Sequence, residues 1–103
     1  MLNSTDTALY VPTVTEKIQR RRYQMLVHSY LYYQKNETII DDHTFDRWAN
    51  DLVELQKDYP EESEEAQYYA EFKNFDGSSG YDLPYAQPNI QTIGDRLLRG
   101  RNM

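Results

Sequence analysis

The chain has 103 residues, 39% of them hydrophobic, and a net charge of −6 at pH 7, which caps it at one domain with a modest core. Ten tyrosines lift the aromatic share to 14%, so large rings supply buried area and simple disorder is excluded. The acidic balance argues against direct binding to nucleic acid through phosphate neutralisation; the lack of cysteine removes disulfides and thiolate metal sites.

Residues 1–12 read as a flexible leader without a signal-peptide pattern, and no apolar run approaches the roughly 20 residues of a membrane span. A cytoplasmic protein that avoids membranes is the default expectation. Residues 13–103 are expected to form a single helical domain. Thr13-Val14-Thr15-Glu16 is a capping box, in which a hydroxyl and a carboxylate three residues apart satisfy each other's free amides. A long helix should follow from about Val14 to Lys35, with Ile18, Met25, Leu26, Ser29 or Tyr30, and Tyr33 at helical spacing. Lys17, Arg20, Arg21 and Arg22 form a basic cluster expected on its solvated face, and Asn36 suits a left-handed helix stop.

Asp41 or Asp42 should cap a second helix running to about Asp58, with Ile39 and Ile40 pinning the link before it. Phe45, Trp48, Ala49, Leu52 and Leu55 or Gln56 fall on one stripe. A short joint between these two helices predicts an antiparallel hairpin. Pro60-Glu61-Glu62 opens a third helix to about Phe72, with acids in its first turn. Seven carboxylates against one lysine between Glu54 and Glu71 mark an acidic face. From Lys73 to Pro88 turn residues dominate, yet Phe75, Tyr81, Leu83 and Tyr85 suggest an ordered loop laid on the surface. Asn89 is expected to cap a last helix to about Arg99, with Ile90, Ile93, Leu97 and Leu98 apolar and Gly100 as terminator; Arg96, Arg99 and Arg101 form a second basic cluster. The fold class is therefore all-α: a helical hairpin, a short third helix, an ordered loop and a C-terminal helix.

The most specific text is Tyr30-Leu31-Tyr32-Tyr33 followed, after eight residues, by Asp42-His43-Thr44-Phe45-Asp46-Arg47. It resembles the YLYY…D-x-x-[YF]-D-R pattern of the N-terminal (Ia) module of bacterial NAD-dependent DNA ligases. The likeness extends through Leu52-Val53-Glu54-Leu55 and Tyr59-Pro60-Glu61 and covers roughly residues 22–62. The resemblance implies a surface for the nicotinamide mononucleotide (NMN) half of NAD, used together with a nucleotidyltransferase domain. It places Tyr32 against the nicotinamide, Tyr33 at a position that is His or Tyr, Asp42 and Asp46 as the acids that hold the mononucleotide, and Phe45 where Tyr is usual.

That assignment is chemically coherent, because a flat pyridinium cation is drawn to aromatic faces and carboxylates, and residues four apart on a helix share a side. Read alone, the same residues suit other roles. Asp42 fits an N-cap, Phe45 the core, Tyr32 and Tyr33 the hairpin packing, and Asp46 a pair with Arg47 or Arg22.

A ligase also needs a lysine that attacks phosphorus, in a K-x-D-G motif. Lys73-Asn74-Phe75-Asp76-Gly77 is one residue too long and reads as a surface turn. His28 and His43 have no metal-site spacing, and Ser78 and Ser79 have no evident base. The tail resembles short ligase-related proteins of phages and prophages of Gram-positive bacteria, which implies a complete, phage-encoded chain. The expected function is a non-catalytic accessory module that keeps a weak NAD or NMN surface, or docks on a nucleotidyltransferase or ligase core in trans. The alternative is a protein-interaction factor, without a ligand, that acts on a ligase or another replication protein.

Overall fold

The computed structural model describes residues 11–78 and 82–101 and, in these, an all-α fold of five helices. They are α1 (Val14–Gln34), α2 (Asp42–Asp58), α3 (Pro60–Glu65), α4 (Tyr69–Phe72) and α5 (Pro88–Arg101). The expected leader, Val11 and Pro12 apart, lies outside the described residues, as does Tyr81. No described helix is long and apolar enough to cross a membrane.

The start of α1 is set by the capping box: Glu16 N donates to Thr13 Oγ1 at 3.1 Å and Thr13 N donates to Glu16 Oε1 at 2.8 Å. Its end comes where Asn36 turns left-handed at φ 55°, and the amides of Lys35 and Glu37 both donate to the Leu31 carbonyl. Asp41 rather than Asp42 caps α2, accepting from Thr44 N at 2.7 Å. The Thr44 side chain and, next, its amide hold the Asp41 carboxyl below its ordinary range, since both favour the charged form.

The two long helices run antiparallel. Arg21 meets Asp51, Arg22 meets Gln56 and His28 meets Trp48, so rising positions on α1 face falling positions on α2 overall. Ala49 and Leu52 are buried in this seam, with Phe45, Trp48 and Leu55 half-buried beside them. The far side of α1 packs on α5, where Tyr30 OH donates to Asp95 Oδ1 at 2.8 Å. The second half of α1 is therefore covered almost all round: Met25, Leu26, Val27, Ser29, Tyr30 and Leu31 are all buried.

The basic cluster is not wholly solvated. Arg22 is completely buried, and its guanidinium donates to Gln56 Oε1, Ser63 Oγ and the carbonyls of Ser63, Ala66 and Gln67. The expected third helix is consequently two. Ala66 is extended and Tyr68 left-handed at φ 70°, so the carbonyls at the break turn to Arg22 instead of continuing the helical ladder. Burial lowers the Arg22 pKa to about 10, against the opposing pull of Glu71.

The described residues between α4 and α5 lie on the core as expected, with Leu83 and Tyr85 buried and Phe75 half-buried. Three details of α5 differ from expectation. It begins at Pro88, and Asn89 donates to Tyr68 OH instead of capping. Gly100 lies within the helix, which runs on to Arg101. Ile90 is buried and Ile93 and Leu98 pack on the core, but Leu97 is exposed because it falls between the inward rows.

Candidate functional site

A cleft of about 190 Å³ opens where the end of α1, the link to α2 and the start of α2 converge. It exists because the left-handed turn at Asn36 folds the link back under α1, while the Asp41 cap fixes where α2 begins. From α1 come His28, Ser29, Tyr32 and Tyr33, from the link Ile39 and Ile40, and from α2 Asp42, Phe45 and Asp46. The five residues singled out from sequence, Tyr32, Tyr33, Asp42, Phe45 and Asp46, all line this one cleft.

Their surroundings differ. Tyr32 is 52% exposed and meets Tyr33 edge to face, ring centres 4.9 Å apart. Tyr33 in turn stacks on Tyr85 from the segment before α5, at 5.8 Å and 19°. Phe45 is half-buried against the core, leaving part of its ring to the cleft. Asp42 and Asp46 are exposed, one helical turn apart, and neither forms an ion pair with a described residue. Arg22, one partner considered for Asp46, is fully engaged elsewhere.

His28, Ser29 and Ser78 are among the polar residues of the cleft to which the sequence assigned no function. His28 packs on Trp48 with ring centres 5.5 Å apart, and burial pushes its imidazole below the ordinary value of 6.5, so it is neutral at pH 7. Ser29 is 1% exposed, and its Oγ is the single buried side-chain polar atom among the described residues with no hydrogen-bond partner. Both precede the two tyrosines by one turn, at 28→32 and 29→33, so helical spacing could have found them. Ser78 comes from the loop, held where its amide donates to Asp76 Oδ1 at 3.0 Å, and no local sequence signal announces it.

Chemically, the cleft combines three aromatic rings with carboxylates at its mouth, and Asp41 and Glu37 add to that rim. Such a lining suits a flat cation better than an anion. No group of described His, Asp or Glu residues could hold a metal ion.

Comparison with known proteins gives one family. The profile described as "DNA ligase-like, N-terminal NAD+-binding domain" matches residues 11–66, just over half of the chain. Curated relatives include the DNA ligase of Thermotoga maritima, 40% identical over 48 residues, which are 47% of this chain and 7% of that ligase. The DNA ligase of Bacteroides fragilis is 40% identical over 53 residues, 52% of this chain and 8% of the relative. That of Thermosipho africanus is 37% identical over 46 residues, 45% of this chain and 7% of the relative. The matches thus span under a tenth of the relatives' length. No solved structure matches.

Proposed function

This chain belongs to the family of DNA ligase-like, N-terminal NAD+-binding domains, and from that premise we propose that it is a non-catalytic module holding the nicotinamide end of NAD or NMN. The observation that carries this reading is the convergence of Tyr32, Tyr33, Phe45, Asp42 and Asp46 on one cleft. The rings offer faces to a pyridinium and the two carboxylates offset its charge.

The size of the cleft supports a small ligand group. At about 190 Å³ it is smaller than the roughly 300–1,000 Å³ of sites that enclose drug-sized ligands. One heteroaromatic ring fits, while the ribose phosphate stays outside. A ligand held on one side gains too little contact to offset its lost freedom, so binding by the chain alone is weak. A nucleotidyltransferase domain supplied by another chain would provide the missing wall, and a ligase core is the partner class the family suggests. The residues before and after the matched stretch contain no K-x-D-G motif, which is why the role proposed is accessory. A phage-encoded setting belongs to the same reading and rests on the likeness of the tail alone, and a cytoplasmic one is kept with it as the default.

The test is a titration of NMN and NAD followed by Trp48 fluorescence, since Trp48 packs on His28 at the cleft. Saturable binding at about millimolar ligand, lost in Tyr32→Ala and Asp46→Ala, is expected. Unchanged binding in both variants would place the ligand elsewhere, and silence in the wild type refutes the proposal.

A second reading, a ligand-free interaction factor, draws on one observation. Glu54, Asp58, Glu61, Glu64, Glu65 and Glu71 are all exposed across α2 to α4, a surface suited to a basic partner. Capture of a ligase core that charge reversal at Glu61 and Glu64 abolishes, by a chain that binds no NMN, would favour it.

A further inference from the structure

Resting on the nicotinamide reading, we infer that Ser29 is the hydrogen-bonding subsite for the ligand's carboxamide, and that the cleft selects the amide over the free acid. A buried hydroxyl normally finds a partner, and a serine within a helix has one at hand in the carbonyl four residues back. Ser29 makes neither bond, although it is 1% exposed and α1 is tightly packed around it. Ser29 lines the same cleft as Tyr32, Tyr33 and Phe45, one turn along α1 from both tyrosines. An unsatisfied hydroxyl on a residue that lines an aromatic cleft is a ready partner for a polar substituent on a bound ring, once a small side-chain shift opens the hydroxyl to the cleft.

A carboxamide suits this position twice over. Its oxygen accepts from, and its nitrogen donates to, a hydroxyl that can rotate to serve either. It also brings no negative charge past the Asp41, Asp42 and Asp46 carboxylates that line the opening. A carboxylate at the same ring position would have to pass those like charges, which disfavours the acid whether or not Ser29 is present.

The experiment uses the full chain with three ligands: NMN, nicotinic acid mononucleotide, and the analogue whose pyridinium carries no substituent. In the wild type, NMN should bind about two- to tenfold more tightly than the unsubstituted ring, the range of one neutral hydrogen bond, and the acid more weakly still. Ser29→Ala should remove the advantage of NMN over the unsubstituted ring while leaving the latter's affinity unchanged. Its melting temperature should stay level or rise, because an unpartnered hydroxyl has been removed. A structural role would instead lower stability and weaken both ligands together. Equal affinity for NMN and the unsubstituted ring in the wild type, or an unchanged ratio in Ser29→Ala, overturns the inference and leaves the nicotinamide reading standing. Failure of all three ligands to bind the wild type overturns both.

Discussion

The guanidinium of Arg22 grips Gln56 with two donors, Nε at 2.9 Å and Nη2 at 2.8 Å from the same Oε1. Gln56 then donates from Nε2 to the Phe72 carbonyl at 3.0 Å, so two side chains tie α1, α2 and the end of α4 together. Every hydrogen bond of the guanidinium to a described residue goes to a neutral acceptor, while Glu71 acts on its charge without bonding to it.

Loss of either member should be costly. Gln56→Leu leaves a buried charged donor pair unmet and should destabilise by about 2–3 kcal/mol. Arg22→Ala should cost about 3–5 kcal/mol, because it also opens a cavity and strands the carbonyls of Ser63, Ala66 and Gln67. Urea unfolding followed by circular dichroism measures both, and a change below about 1 kcal/mol in Arg22→Ala would contradict the network.

Gly94 is the close-approach point between α5 and α1. A Cβ there would lie 2.6 Å from Tyr30 Cδ2 and 2.9 Å from Cε2. The ring cannot swing aside easily, since it is buried and its hydroxyl is bound to Asp95. Gly94→Ala should therefore destabilise by about 1–3 kcal/mol despite its better helix propensity. A more stable Gly94→Ala protein in a thermal melt would show that the helices separate freely.

His28 predicts an acid limb. Its folded pKa lies below the ordinary 6.5 because burial disfavours the imidazolium, so the unfolded chain takes up the proton first as pH falls. Stability from neutral His28 is full above about 6.5, declines as pH drops below that value, and levels off beneath the folded pKa. Melting temperatures at about pH 5 and 7.5 should differ less in His28→Gln than in the wild type. An equal difference in the two proteins would show that His28 is not held neutral by burial.

Phe45→Tyr restores the hydroxyl that the ligase pattern usually carries. One added hydrogen bond of about 0.5–1.5 kcal/mol should tighten NMN binding by roughly two- to tenfold in the Trp48 titration. A weaker complex would mean that the ring edge meets the core rather than the cleft.

What the sequence made legible follows from the range of each interaction. The Thr13–Glu16 box, the Asp41 cap and the left-handed Asn36 act over three or four residues, and all appear where expected. The antiparallel hairpin follows from two apolar stripes and a short link. Arg22 was misread because its partners lie 34 to 45 residues away; composition predicts a solvated cation, and only the tertiary fold supplies enough carbonyls to bury one. The same contacts split the third helix, which local propensity alone would run through to Phe72. In the cleft, family-like text identified the rim, whereas Ser29 and Ser78 depend on which face of α1 stays uncovered and where a loop comes to rest.

The Tyr33–Tyr85 stack has a thermodynamic corollary. Tyr33 belongs to the stretch shared with the ligases, and Tyr85 to the segment beyond residue 66. On the nicotinamide reading, one ring thus serves two equilibria, docking of the segment and occupancy of the cleft. Any free energy by which the docked segment favours the ligand-ready pose of Tyr33 must return, by reciprocity, as tighter docking when the cleft is filled. Residues around Tyr85 can therefore tune affinity at the cleft without touching what it holds.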